Sequence, residues 1–340
     1  MEYRVNIDVA NQTKAGLSNV LDGRDPRVLN KVGAFASLFA FDTTGYRQPV
    51  LVMKTEEPGS KQVLAVANDR VEAVCEDMIN HLINDCIVMG AEPLAIQDLI
   101  VCGKIEENIV RRIVSGCASA ASAQGCVLTG GETSEQPDII APGTYILGSS
   151  IIGVVERDEI IDGSKIGVGD VVIALGSSGA HTNGYTLIRD LLKKNTGLAD
   201  KLVGNETFLD LALVPHRCYY QALKPHFASG RIHGMAHITG GGIRENLDRV
   251  LPANVDALIN LENYRPPAIF GMIRDIGKVS EEVMLRTFNL GVGMAVVCAA
   301  DDAAALCAEF IGSGEDAYVI GEIIPGAKKV QCQGSVHYGM

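Results

Sequence analysis

"DVVIALGSSGAHTNGYTLIR", residues 170–189, carries the local pattern on which the fold turns. The run from Val171 to Leu175 is short, apolar and rich in β-branched residues. Three glycines and three hydroxyl residues then surround His181, and Leu187, Ile188, Leu191 and Leu192 follow at helical spacing. The stretch reads strand, glycine-rich turn, helix. A turn of this kind presents backbone N–H groups to an anion. It reads equally well as a tight connection capped by Thr182 or Asn183.

Outward from this unit, 340 residues exceed what one core comfortably holds, so two domains are expected, and a 47% hydrophobic content supports both. The stretch "DEIIDGSKIGVGD" (158–170) is rich in glycine and charge and has no periodicity. It sets the expected boundary at Val168, with an N-terminal domain over 1–168 and a C-terminal domain over 169–340. In the first half, strands are expected at "QPVLVMKT" (48–55) and "GTYILGSSIIGVVE" (143–156), and helices at Asp69–Met89, closed by Gly90, and Glu107–Ala123. "CVLTGGETSEQPD" (126–138) reads as a short strand running into a Gly-Gly turn that bears Glu132. The second half alternates strands and helices without an internal repeat, as a mixed α/β domain does.

With 41 acidic residues against 29 basic and a net charge of −12, the chain lacks a cationic stripe for nucleic-acid phosphates or an anionic membrane surface. Neither partner is expected, so an anionic ligand has to be held by local groups. Nine cysteines are scattered mostly through apolar runs with no CxxC pair, as reduced thiols of a cytoplasmic protein would be. The opening residues show neither a basic leader nor an apolar core, and no uninterrupted apolar run of about 18 residues occurs.

Two constellations carry chemistry. On the helix from Asp69, one stripe is apolar (Val71, Val74, Cys75, Met78, Ile79, Leu82, Cys86), while Asp77, Asn80, His81, Asn84 and Asp85 fall on the opposite side. That side reads as a solvated face or, because carboxylates and carboxamides are oxygen donors, as a Mg²⁺ site. In "HITGGGIRENL" (237–247), Gly240, Gly241 and Gly242 precede a helix expected to begin near Ile243, so their amides and the Thr239 hydroxyl can converge on a phosphate. "RTFNLGVGM" (286–294) again sets glycines beside Arg286 and Asn289.

Together with "NDCIVMGAEPL" (84–94), "GGETSEQP" (130–137) and the whole of 153–189, these stretches make the chain resemble the aminoimidazole ribonucleotide synthetases, the phosphoribosylformylglycinamidine cyclo-ligases of purine biosynthesis, from about Gln48 to Ile324. The resemblance implies a homodimer of two-domain α/β chains, with an N-terminal domain that forms the dimer-interface sheet and binds ATP and a C-terminal domain that binds the ribonucleotide. It implies ATP contacts at Glu56, Gly59, Ser60, Lys61, Asn84, Asp85, Gly131 and Glu132, and Mg²⁺ at Glu56, Asp77, Asp85 and Glu132. Thr239, Gly240, Gly241, Gly242, Arg286 and Asn289 would hold the substrate, and His181, Lys61 and Asn183 would serve the chemistry. His181 is a candidate base for ring closure, since an imidazole exchanges protons near neutral pH, or else a substrate hydrogen-bond partner or part of the turn.

The departures from the family pattern lie at the nucleotide end. "TEEPGSK" (55–61) stands for the family's D-G-V-G-T-K, so Glu56 replaces Asp and Pro58 enters the loop. Upstream, "NKVGAFASLFAF" (30–41) is a thinned glycine-rich stretch, and Ile146 takes an acidic position. Two alternatives stay open at this level: another ATP-dependent phosphotransferase of the wider group, and a ribonucleotide-binding paralogue without catalysis.

Overall fold

The computed structural model describes residues 13, 16–18, 20, 21, 25–31 and 33–339. The opening stretch 1–12, read above for targeting signals, lies outside them. Two compact units are present, one comprising residues up to 86 with 92–157, the other residues 87–91 with 158 onward. The chain passes between them at Arg157–Asp158, ten residues before Val168, because "DEIIDGSKIGVGD" already belongs to the second unit. Among the described residues, no helix is long and apolar enough to cross a membrane.

In the first unit, β1 (Pro49–Glu56), β2 (Glu92–Cys102), β3 (Val127–Glu135) and β4 (Tyr145–Glu156) form a mixed sheet in the order β1-β4-β2-β3. Only β2 and β3 run parallel; the other pairs are antiparallel. The period-two alternation of β4 buries Leu147, Ser149 and Ile151 and exposes Ile146, Ser150 and Ile152. Helices Lys61–Ala67 and Glu107–Ala123 pack on the buried face. On the other face Leu51, Met53, Leu99, Ile146 and Ile152 are exposed, Met53 by 73%.

Two expectations change here. The helix expected over 69–89 runs Val71–Ile87, since Asp69 (φ +55°) lies outside it and Gly90 (φ +75°) closes it by donating to the Ile87 carbonyl. The Gly-Gly pair at 130–131 is not a turn: β3 continues through it to Glu135. A Cβ on Gly131 would lie 2.1 Å from Asp98 Oδ1, so glycine is required there by a close strand approach rather than by a reversal of the chain.

The second unit holds β5 (Val171–Gly176), a small hairpin of β6 (Leu202–Val203) and β7 (Glu206–Thr207), then β8 (Ile232–His237), β9 (Val255–Asn260), β10 (Val292–Cys298), β11 (Ala317–Pro325) and β12 (Val330–Gln333). Six strands pair in the order β12-β9-β11-β5-β10-β8, antiparallel except for β12 beside β9. β5 and β10 are interior strands buried along almost their whole length, which explains their unbroken apolar runs. Their ends, and that of β8, carry the glycine-rich loops of the second unit.

Candidate functional site

The strand–turn–helix reading of 170–189 holds: β5 ends at Gly176 and a helix spans Tyr185–Lys194. Its cap, however, is neither Thr182 nor Asn183. Gly184 occupies the cap position at φ +77°, and a Cβ there would come within 2.1 Å of the Phe288 ring. His181 also has a left-handed backbone (φ +54°) and is only 1% exposed. Its Nε2 accepts from the Ser178 amide at 3.3 Å, so a neutral His181 carries its ring proton on Nδ1. Two residues on, Asn183 Nδ2 is buried without a hydrogen-bond partner. The Oδ1 of the same side chain would lie 3.3 Å from a Cβ on Gly240, so the His181 turn abuts the glycine loop 239–242.

That loop is more self-contained than its sequence suggests. The Gly241 amide donates to the Arg286 carbonyl at 2.9 Å and the Gly242 amide to the Thr239 carbonyl at 3.0 Å. Two of the three expected anion-binding amides are therefore engaged inside the fold, one within the turn and one with the Arg286 segment, while the Gly240 amide takes part in neither bond. The Thr239 hydroxyl donates to Asn246 Oδ1 at 3.3 Å, and Asn246 Nδ2 donates to the Gly240 and Gly242 carbonyls. Asn246 thus pins the loop, a role that an asparagine inside "GIRENL" signals only weakly.

Asn289 is internal as well. Its Oδ1 accepts from Ser177 Oγ and the Gly291 amide, and its Nδ2 donates to the Gly179 carbonyl, each at 2.9 Å. With those contacts made inside the fold, it shapes the His181 turn rather than facing a ligand. Arg286, by contrast, is 77% exposed at its side chain and meets Glu245 at 3.1 Å.

In the first unit, the polar side of helix Val71–Ile87 is not a solvated face, for Asp77, Asn80, His81 and Asn84 are all buried. Lys61 Nζ donates to Asp77 Oδ1 at 2.7 Å, both residues being fully buried. Desolvation pulls the Lys61 ammonium below its usual pKa, against the attraction of Asp77. Lys61 and Asp77 therefore form an internal ion pair. Gly59 (φ +63°) and Ser60 make the turn that leads into the Lys61 helix.

Glu56 and Asp85 do converge. Lys54 Nζ lies 3.0 Å from Glu56 Oε2 and 2.9 Å from Asp85 Oδ2, and His81 Nε2 is 3.8 Å from each. Burial opposes the charge on Lys54, but Asp85 and Glu56 outweigh it and hold its pKa above the usual value. Lys54 was legible as a neighbour of Glu56, since residues two apart on a strand share a face.

Glu132 does not join this group. β1 and β3 are opposite edges of the sheet, about 14 Å apart at the usual strand spacing of about 4.8 Å. The register adds a second reason: Glu56 aligns with Ser149, Asp98 and Gly131, whereas Glu132 aligns with Leu99 on the exposed face. Within one chain, therefore, the four carboxylates do not form one metal shell. Asp98, which the sequence reading passed over, is 7% exposed and borders a cavity of about 420 Å³ with Val114, Gly131 and Glu132. Burial raises its carboxyl pKa to about 7, with one backbone hydrogen bond opposing.

Comparison with known proteins places these features in context. The family described as AIR synthase related protein, N-terminal domain, matches residues 42–155, and the corresponding C-terminal domain matches 167–333. A phosphoribosylformylglycinamidine cyclo-ligase of Trichlorobacter lovleyi is 40% identical over 301 residues, 88% of this chain and 86% of that protein. One from Geobacter sulfurreducens is 38% identical over 312 residues, 90% of each. The crystal structure of the hydrogenase maturation protein HypE in complex with ATP shares the fold at TM-score 0.66 with 14% identity, covering 94% of this chain and 90% of that one.

Proposed function

The chain belongs to the AIR synthase related protein family, and from that premise we propose that it is an ATP-dependent cyclo-ligase that closes formylglycinamidine ribonucleotide to aminoimidazole ribonucleotide in purine biosynthesis. One observation carries this reading: 38–40% identity to cyclo-ligases over about nine-tenths of the chain, with both family domains present in order. An amide oxygen is a poor leaving group until it is phosphorylated. ATP phosphorylates it, the amidine nitrogen then attacks the same carbon and loses a proton, and phosphate departs. Such chemistry needs chiefly positioning and charge neutralisation.

In our reading the second unit holds the ribonucleotide. The unpartnered Asn183 Nδ2, the Gly240 amide and the exposed Arg286 guanidinium supply donors for an anionic group. The loop helix Gly242–Leu247 has only 6 residues, so individual donors rather than a macrodipole do this work. His181, buried and with Nε2 already accepting from Ser178, shapes the turn that carries Asn183 rather than acting as the base.

ATP and Mg²⁺ belong to the first unit in this reading. Glu56 and Asp85 are hard oxygen donors that fit Mg²⁺, which when bound offsets phosphate charge. Lys54 lies between the same two carboxylates and supplies a fixed positive charge beside them. The Lys61–Asp77 pair fastens helix Lys61–Ala67 to helix Val71–Ile87. The exposed Leu51, Met53, Leu99, Ile146 and Ile152 suit pairing with a second copy, so the working form is a homodimer. Nine free thiols accord with a cytoplasmic location.

The test is turnover by the purified protein with ATP, Mg²⁺ and formylglycinamidine ribonucleotide, following ADP and the aminoimidazole product. Stoichiometric formation of both is expected. ADP release without the ribonucleotide, or ribonucleotide binding without ADP formation, would replace this reading by the phosphotransferase or the non-catalytic alternative.

A further inference from the structure

Three buried histidines meet in the second unit: His181 in the glycine turn, His216 in the segment after helix Phe208–Ala212, and His237 at the end of β8. One ring nitrogen of each lies within 4.8 Å of the others. The rings of His181 and His216 stack, with centroids 3.8 Å apart and planes inclined by 21°. His216 Nε2 and His237 Nε2 are 2.9 Å apart, so one donates and the other accepts.

The stacking rules out shared coordination of one metal ion. Lone pairs lie in the ring planes, and planes 3.8 Å apart at 21° meet on the order of 10 Å away, whereas metal–imidazole bonds are about 2.0–2.1 Å. The His216–His237 bond needs one unprotonated nitrogen, and His181 Nε2 accepts from the Ser178 amide. The cluster is built from hydrogen bonds and a ring stack between three imidazoles.

Position gives this stack its meaning. The His216 segment is laced to the His181 turn, for Ser178 Oγ donates to the Pro215 carbonyl at 2.6 Å and Tyr219 Oη to the Gly176 carbonyl at 2.9 Å. On its other side, His216 is bonded to His237, two residues before Thr239 and the glycine loop. His216 therefore ties together the two loops that abut at Asn183 and Gly240.

We propose that His216 is a positioning residue for the ribonucleotide: its ring, stacked on His181 and bonded to His237, holds the His181 turn in register with the 239–242 loop. This rests on the reading that those two loops hold the ribonucleotide. His181 has a left-handed backbone that a non-glycine residue adopts only under constraint from its surroundings, and the His216 ring supplies that constraint from one face.

The experiment compares His216→Ala, His216→Phe and His181→Gln in the full-length protein, with KM for each substrate, kcat and thermal unfolding. Loss of an aromatic stack predicts that His216→Ala raises the ribonucleotide KM by about tenfold, with the ATP KM unchanged. His216→Phe, which keeps the stack and loses the bond to His237, should recover most of that rise. ¹⁵N signals of the imidazoles give a readout independent of turnover, with His181 as the Nδ1–H tautomer in the parent and in His216→Phe but not in His216→Ala. Equal loss in the Ala and Phe variants, or equal effects on both KM values, would overturn the positioning role. If His181→Gln leaves the ribonucleotide KM unchanged, the loop assignment itself fails, and this inference with it.

Discussion

Replacing Asp98 by Asn should stabilise the protein, and should do so only above mildly acidic pH. Asp98 is almost wholly buried beside Gly131, and its carboxyl is raised by burial from 3.8 to about 7. A raised acid favours the folded state in its protonated form. Its contribution is therefore complete below the unfolded pKa near 4 and is lost as pH rises through the folded pKa near 7. The difference of about 3 pK units corresponds to about 4 kcal/mol, accruing at about 1.4 kcal/mol per pH unit between pH 4 and 7. Asn has nearly the same shape and cannot ionise. Asp98→Asn should therefore match the parent at pH 4 and exceed it at pH 8, by several degrees in Tm at roughly 2 °C per kcal/mol for a chain of this size. Thermal unfolding at half-unit steps from pH 4 to pH 8 tests this. A Tm difference independent of pH, or a variant less stable than the parent at pH 8, would refute the assignment of a desolvated carboxyl.

Four further outcomes follow from the buried ion pair, the Glu56–Asp85 carboxylates and the two abutting loops of the second unit. Lys61→Met removes the ammonium that the buried Asp77 carboxylate accepts from and should cost about 3–5 kcal/mol, much of which Lys61→Met with Asp77→Leu restores; additive losses in denaturant titrations would count against the pair. Asp85→Ala should abolish turnover at saturating Mg·ATP while leaving circular dichroism unchanged, and near-normal activity would remove Asp85 from the metal site. Gly241→Ala, with φ +93° and Glu245 Cβ 2.6 Å from the added methyl, should raise the ribonucleotide KM far more than the ATP KM; an equal rise in both would argue for a general loss of structure. His181→Gln should raise the ribonucleotide KM and keep the shape of the pH–rate profile. A kcat loss of 100-fold or more, with a flattened acid limb, would instead make His181 the base.

Several elements were legible in the amino-acid sequence, because they rest on short-range physics. The β-branched run 171–175, the helical spacing of Leu187 to Leu192 and the stripe on the helix from Val71 each follow from local periodicity, and the helix Glu107–Ala123 appeared with the bounds expected. Pairwise neighbours that depend on one element, such as Lys54 beside Glu56, were also within reach of the sequence.

Which donors remain available and which polar residues are interior follows from contacts between segments distant in sequence. Gly241, Gly242 and Asn289 carry the right groups for a ligand, yet Arg286, Thr239, Ser177 and Gly179 already engage them. The polar side of helix Val71–Ile87 was compatible with solvent until Lys61 arrived to pair with Asp77. Glu132 was separated from Glu56 by strand order and register, and the Gly-Gly pair became strand because Asp98 sits against it. Hydrogen-bond satisfaction and strand register are properties of segments far apart in sequence, and local spacing holds no record of either.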